Sequence, residues 1–306
     1  MIGEASVFCI VVTYNGANWV ERCFQSLRLS STRLKTIVID NGSTDGTLEA
    51  LASNFPEVTV IRSESNLGFG AANNVGILRA FDEGANHVFL LNQDAWIEPD
   101  AIANLVNIAN QNPDYGILSP LHFQADLITL DKQFSSHISA PKCTYLEDIS
   151  SQRPIGDLYP CGFANAAAWL VTRKCLEKVG LFEPLFFLYG EDFNYIQRMK
   201  YHKLQLGLVP AAKIVHDRAQ RQGQKSKKGT EIEVQTFLLI KLLNVRESFI
   251  MNLKESLKVF VKFGVTLNIT RAFLTALLKT PLIYSRFIQA RAEGYLLRTR
   301  KTGQPL

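Results

Sequence analysis

Val7-Phe8-Cys9-Ile10-Val11-Val12 is a near-continuous apolar run rich in β-formers, closed by Thr13-Tyr14-Asn15-Gly16. An unbroken apolar run, as opposed to an alternating one, is the pattern of a strand covered on both faces. Trp19 to Leu27 follows with helical spacing. Thr36-Ile37-Val38-Ile39-Asp40 repeats the strand, and Asn41-Gly42-Ser43-Thr44-Asp45-Gly46 reads as a turn. Its hydroxyls and carboxylate can cap a helix from Thr47 to Phe55. Val58 to Ile61 is a third strand, Asn66 to Gly70 a loop, Ala71 to Glu83 a helix and His87 to Leu91 a fourth strand. Another helix runs from Pro99 to Asn110. This order implies a parallel sheet with right-handed crossovers. Ligands of such sheets bind beyond the carboxyl ends of the strands, where this chain collects its polar clusters.

After Gly116 the pattern loosens. Ile117 to Phe123 reads as a strand, and Asp126 to Tyr159 as an irregular polar flap. Gly162 to Val171 is strand-like; Arg173 to Val179 and Asp192 to His202 are helical. Leu206-Gly207-Leu208-Val209 is a last strand, ahead of Ile214-Val215-His216. The expected architecture is an α/β domain over 1–217 with a mainly parallel central sheet. A Gln-, Lys- and Gly-rich linker over 218–230 and a basic helical region over 231–306 follow.

At 306 residues, 47% apolar and 20% charged, the chain has the composition of a globular protein. Its net charge of +5 conceals a split. Residues 1–217 carry 16 Lys+Arg against 23 Asp+Glu, whereas 218–306 carry 17 against 5. An acidic body with a basic tail suits contact with something anionic. Nucleic acid is disfavoured, because the tail's aromatics lie within apolar faces and are not interleaved as stacking platforms. The five cysteines show no C-x-x-C spacing, which fits reduced thiols in a cytoplasmic protein. We expect no signal peptide and no transmembrane helix.

Three strand ends fit a nucleotide. Thr13-Tyr14-Asn15 is a polar strand terminus, and Asp40-Asn41 can accept from ribose hydroxyls or pair with a base edge. Asn66-x-Gly68-x-Gly70 lets the backbone come close to a ligand, since glycine carries no Cβ. Taken singly, each is also an ordinary βα turn. Asn92 and Asp94 stand two apart, so in extended chain they face one side. Hard oxygen donors of this kind suit Mg²⁺ or Mn²⁺ on substrate phosphates; the alternative is that Asp94 caps the next segment. Glu191-Asp192 follows Phe186-Phe187-Leu188-Tyr189-Gly190. Aromatic walls weaken solvation of a carboxylate and raise its pKa, which helps a general base facing an alcohol. The same two acids also suit a helix N-terminus. His216, after a strand, favours a metal or phosphate contact over a purely structural place.

These stretches, with Asn66 to Gly76, Leu91-Asn92-Gln93-Asp94 and the block from Gly162 to Lys200, resemble the inverting family 2 glycosyltransferases of the GT-A fold. Val179-Gly180-Leu181-Phe182-Glu183 and Phe187 to Asp192 are similar to the bacterial rhamnosyltransferase-like branch. The resemblance covers about residues 5–217. It implies that Thr13, Tyr14, Asn15, Asp40 and Asn41 hold the nucleoside, and that Asn66, Gly68, Asn74 and Asn92 line the nucleotide side. It implies Asp94 and His216 as ligands of Mg²⁺ or Mn²⁺, Asp192 as catalytic base and Glu191 on the acceptor side. Many relatives have a second aspartate where this chain has Asn92, and a Gly-Ala-rich wall where it has Asn165-Ala166-Ala167-Ala168.

The implied donor is a dTDP- or UDP-linked sugar, L-rhamnose first, with glucosyl, galactosyl and N-acetylhexosaminyl donors as alternatives. The implied acceptor is a saccharide or lipid-linked saccharide of bacterial surface polysaccharide assembly, met at the inner face of the cell membrane. A dinucleotide oxidoreductase is disfavoured, because no G-x-G-x-x-G follows the first strand. In the tail, Lys254, Lys258 and Lys262 form one stripe, with Phe249, Ile250, Leu253, Leu257, Phe260 and Val261 expected opposite. That pattern fits a helix lying in a membrane interface; packing on the body or in a homodimer is the alternative.

Overall fold

The computed structural model describes residues 6–139, 143–218, 227–263, 269–271, 273–275 and 277–281. By contact density the chain forms two compact units. The first comprises Met1–Leu67, Ala72–Cys175 and Leu204–Gln220, and the second Gly68–Ala71, Leu176–Lys203 and Arg221–Leu306. Leu176–Lys203, which precedes the boundary expected at residue 217, thus groups with the C-terminal residues. Within the expected linker, residues 219–226 lie outside the described residues, and helix is already present from Lys227.

The first unit is built on a sheet. Strands β1 (Val7–Thr13), β2 (Leu34–Asp40), β3 (Thr59–Arg62) and β4 (His87–Asn92) pair in parallel in the order β3-β2-β1-β4. Helices α1 (Ala17–Arg28) and α2 (Thr47–Asn54) cross between them. Helix α3 (Phe69–Asp82), which runs on from the second unit's Gly68–Ala71, leads into β4. In α1 the buried residues are Val20, Cys23, Phe24 and Leu27, the i, i+3, i+4, i+7 face of a helix. They meet Val11, Val38, Phe55 and Leu91 in one core. Full burial of each such side chain contributes roughly 1.5–3 kcal/mol. The expected parallel βα half is thus present, with its boundaries either as expected or shifted by a residue or two.

The second half of this sheet is mixed. It adds β5 (Ala95–Ile97), β6 (Tyr115–Phe123), β7 (Tyr159–Cys161), β8 (Ala168–Thr172) and β9 (Gln205–His216). Strand β8 runs antiparallel to both β4 and β6, while β6 and β9 are parallel. Helix α4 (Ala101–Gln111) packs here, and two short helices, α5 (Lys132–His137) and α6 (Tyr145–Ser150), stand in the stretch expected to be irregular. Two readings change. The strand-like stretch from Gly162 to Val171 contributes only its second half, and Leu206 to His216 is one long strand with an irregularity near Pro120 of its partner.

The second unit contains α7 (Arg173–Val179) from Leu176 onward, α8 (Glu191–Tyr201), α9 (Lys227–Leu242) and α10 (Phe249–Phe263). Its core joins Phe186 to Val234, Leu238, Leu242, Leu243, Ile269 and Phe273. Within the helical region expected over 231–306, one helix ends at Leu242 and the next begins at Phe249. The Asn244 side chain accepts from the Arg246 N–H at 3.2 Å, and the Ser248 hydroxyl accepts from Met251 N–H at 3.3 Å. One bond ends a helix in an Asx turn and the other caps the next.

Candidate active site

At the carboxyl ends of β1 and β2 the chain bonds to itself to form a shaped polar edge. Asp40 is wholly buried, and both of its carboxylate oxygens are in use. One accepts from the Thr13 hydroxyl at 3.0 Å, the other from Gly42 and Ser43 N–H at 3.2 and 3.0 Å. Asp40 and Thr13 thereby hold the turn that follows β2. Asn15 takes a left-handed conformation (φ 48°). Its side-chain oxygen accepts from Thr44 N–H at 2.9 Å while its own N–H donates to Ser43 Oγ at 2.9 Å. Asn41 accepts from Leu67 N–H at 3.3 Å. Asn66 is exposed, while Asn74 is buried on α3.

The Tyr14 ring stands 47% exposed at this edge. Its main chain is clamped by Gln93, which accepts from Tyr14 N–H at 2.9 Å and donates to Tyr14 O at 3.1 Å. A Cβ on Gly16 would sit 2.2 Å from Gln93 Oε1, so Gly16 is required by that clamp. Thr47 Oγ1 accepts from Gly16 N–H at 2.9 Å. Sequence reading passed over Gln93, Ser43 and Thr47 as site-shaping groups, because the pairing of β1 with β4 brings in Gln93 and that of β1 with β2 brings in Ser43 and Thr47.

Asp94 lies in the two-residue turn between β4 and β5. Strand β5 pairs antiparallel with β9 in the register Ala95↔His216, and Asp217 N–H donates to Asp94 O at 2.9 Å. That register delivers His216 to Asp94: Nε2 stands 3.4 Å from Asp94 Oδ1, with both side chains no more than 2% exposed. The same Nε2 is 3.5 Å from Asn92 Nδ2. Asn92 and Asp94 thus face one imidazole nitrogen, brought there by the Gln93–Asp94 turn and not by the alternation of an extended strand. His122 of β6 lies edge-on to His216 with ring centroids 6.1 Å apart, and stacks on Phe134 at 4.1 Å. Burial first, then the neighbouring His216, pushes His122 well below the ordinary histidine range, so it is neutral. Arg218, two residues on, pairs with buried Asp131 at 3.0 Å.

In the second unit, Tyr189 (φ 68°) and Gly190 (φ 87°) turn the chain through two left-handed residues into α8. Glu191 and Asp192 fall in its first turn, where the helix end favours negative charge. Glu191 is buried, and its carboxyl is pushed up to about 8, first by desolvation and then by the Asp192 charge. The poorly solvated carboxylate expected of this pair is therefore Glu191, because the Asp192 side chain is only half-buried. Asp192 Oδ1 accepts from Phe193 N–H at 2.7 Å. Helix α8 is fixed by a buried cation that sequence reading missed. Arg198 donates to Asn194 Oδ1 at 2.9 Å, Val179 O at 2.9 Å and Leu181 O at 2.7 Å. Tyr195 OH adds a bond to Gly180 O at 3.0 Å.

Gly68 belongs to this second unit. Its φ is +81°, and a Cβ there would lie 2.1 Å from Phe187 O. The close approach it permits is to the Phe187 main chain, reinforced by Phe69 N–H donating to Phe187 O at 3.3 Å.

A parallel βα half with a polar edge, continued by antiparallel β8, is the sheet of a GT-A-type glycosyltransferase fold. Residues 8–180 match the model of Glycosyl transferase family 2, and the chain belongs to that family. Among curated relatives, it is 29% identical over 236 residues to the N-acetylglucosaminyl-diphospho-decaprenol L-rhamnosyltransferase of Mycobacterium tuberculosis, covering 70% of this chain and 77% of that protein. It is 22% identical over 222 residues to the low-salt glycan biosynthesis hexosyltransferase Agl10 of Haloferax volcanii, covering 71% and 68%. Its fold is similar to that of the mannosyltransferase PcManGT of Pyrobaculum calidifontis, solved with GDP-Man and Mn²⁺ (TM-score 0.57, 16% identity, 99% and 89% covered). It is also similar to that of residues 1–349 of S. aureus TarS (TM-score 0.56, 16% identity, 98% of this chain and 92% of that one covered).

Proposed function

We propose that this glycosyltransferase moves L-rhamnose, with inversion, from a dTDP- or UDP-linked donor to a hydroxyl of a lipid-linked saccharide. The reaction belongs to bacterial surface polysaccharide assembly, at the cytoplasmic face of the membrane, with the C-terminal helices in peripheral contact. The observation that carries the reading is the buried Asp94–His216 pair, set by the β5–β9 register beside a nucleotide-shaped strand edge. The choice of rhamnose and of a lipid diphosphate acceptor draws on the name of the mycobacterial relative.

A divalent cation fits the donor set in part. Among the described residues no group of three or more His, Cys, Asp or Glu could enclose one. One buried carboxylate and one imidazole leave positions for substrate phosphates, which is how Mg²⁺ and Mn²⁺ commonly bind. Asp94 and His216 would hold the ion, with Asn92 beside them. When bound, it neutralises charge developing on the departing diphosphate.

The chain's own groups do the rest. The turn held by Asp40 and Thr13, with Asn15 and Asn41, fixes the nucleoside, and the Tyr14 ring offers a face to the base. Asp192 takes the proton of the acceptor hydroxyl as its oxygen bonds to the anomeric carbon. The carbon–oxygen bond to the diphosphate breaks on the opposite face, so configuration inverts. Glu191 lines the acceptor side as a neutral acid. One base is enough here, whereas a hydrolase needs two carboxylates flanking the bond.

Incubation with a panel of nucleotide sugars and a short-chain N-acetylglucosaminyl diphospholipid tests this directly. Mass and anomeric configuration of the product are read. A rhamnosyl product of inverted configuration, dependent on Mn²⁺ or Mg²⁺, is expected. A retained configuration would refute the mechanism, and transfer of another hexose would move the donor assignment to the alternatives.

A further inference from the structure

Helix α10 has two apolar faces, and among the described residues one is packed and the other is exposed. Inward, Leu253 and Phe260 pack on the core of the second unit. Asn252 and Ser256 are buried beside them, with Asn252 Nδ2 donating to Asn244 O at 2.6 Å and Ser256 Oγ to Asn252 O at 2.8 Å. The six apolar residues expected to form a single face are therefore divided. Ile250, Leu257 and Val261 point outward, 80%, 44% and 79% exposed. Their spacing of seven and four residues places them in one line along the helix. Lys254 and Lys258 are exposed on the same side.

Single exposed apolar side chains are ordinary on a soluble protein. A line of three along one helix, edged by lysines, is the composition of a surface that lies in a headgroup layer. The packed inner face holds the helix in the fold, so the outer face is presented ready-made. Among the described residues no helix is long and apolar enough to cross a bilayer. Charge selects the occupant. Residues 218–306 hold 17 Lys+Arg against 5 Asp+Glu, and the sequence of α10 stays net positive, with Lys254, Lys258 and Lys262 against Glu255, whose carboxylate lies 2.6 Å from Lys258. A second copy seated on this face by two-fold symmetry would bring like-charged lysine edges together, whereas anionic headgroups complement them.

We propose that the outer face of α10 docks on an anionic bilayer, with Ile250, Leu257 and Val261 inserted and Lys254 and Lys258 at the headgroups. This rests on the membrane-held acceptor proposed above and specifies which surface meets that membrane. The docking keeps the enzyme on the plane in which a lipid-linked acceptor diffuses.

Co-sedimentation of the full chain with vesicles tests it, comparing phosphatidylcholine alone with phosphatidylcholine plus phosphatidylglycerol. Binding only to the second, weakened by salt, is expected. A triple variant, Ile250→Gln, Leu257→Gln and Val261→Gln, should lower vesicle affinity by about tenfold or more. Lys254→Gln with Lys258→Gln should do the same. Transfer to a water-soluble acceptor should be unchanged in both, which reports on folding and on the glycosyltransferase reading separately. Wild-type pelleting by both variants would overturn the proposal. So would a wild-type dimer that the triple variant dissociates, since a second copy would then cover the face. If the triple variant loses soluble transfer, the lysine variant decides: reduced pelleting supports the docking face, and unchanged pelleting overturns it.

Discussion

His216 Nε2 and Asp94 Oδ1 lie 3.4 Å apart with both side chains almost wholly buried, although 122 positions separate them in the chain. A buried carboxylate is costly unless a charge or hydrogen-bonding partner offsets it. The pairing of Ala95 with His216 makes the meeting obligatory once β5 and β9 form. His216→Ala should therefore weaken Mn²⁺ binding, measured with nucleoside diphosphate present, by about tenfold or more. Mn²⁺ titration followed by paramagnetic resonance reads this directly. Unchanged affinity would remove His216 from the metal site.

Glu191 gives a prediction about pH. Its carboxyl is raised to about 8 in the fold, chiefly by burial, from an ordinary value of 4.5. An acid whose pKa rises on folding makes the folded state hold the extra proton. Between those two values the unfolded chain ionises first, so stability falls as pH rises. Glu191→Gln keeps the shape without the charge. It should be progressively more stable than the wild type as pH increases from about 5 to about 8, by at most a few kcal/mol. Urea unfolding at a series of pH values is the measurement; parallel curves would show that Glu191 is not held neutral.

Arg198 anchors the helix that carries Asp192. Its guanidinium serves Asn194, Val179 and Leu181, and the side chain is 2% exposed. Arg198→Met fills similar volume but leaves three buried acceptors without that donor. Loss of about 3–5 kcal/mol is expected, read as a lowered urea midpoint with unchanged slope. A loss below about 1 kcal/mol would mean that the buried network is not what fixes α8.

Gly68 is held at φ +81° against the Phe187 carbonyl. Gly68→Ala pays both the left-handed penalty of roughly 1–2 kcal/mol and a main-chain clash. The expected result is a destabilised second unit, with protease sensitivity increased around 187–190. A variant as stable as the wild type would contradict the close approach.

Much of this was legible in the chain because its causes are local. Unbroken apolar runs give β1, β2 and β4, the residues after them give the polar edge, and Glu191-Asp192 opens a helix as its acids suggest. Other features depend on partners far along the sequence. Nothing near Gly68 reveals that its missing Cβ makes room for Phe187. Arg198 reads as a surface charge until three main-chain and side-chain acceptors close on it. His216 reads as a lone histidine until β5 finds β9. In α10, periodicity gives an amphipathic helix, but only tertiary packing divides its apolar residues between core and solvent.

The central claim is that Asp192 removes the acceptor proton while other groups hold the donor. Asp192→Asn keeps size and polarity but cannot accept that proton. Transfer rate and donor affinity should be measured on one preparation, with calorimetry for donor binding and quenched-flow product analysis for turnover. A fall in transfer of about 10²–10⁴-fold with donor affinity unchanged is the outcome this account requires. Turnover at the wild-type rate in the asparagine variant would contradict it.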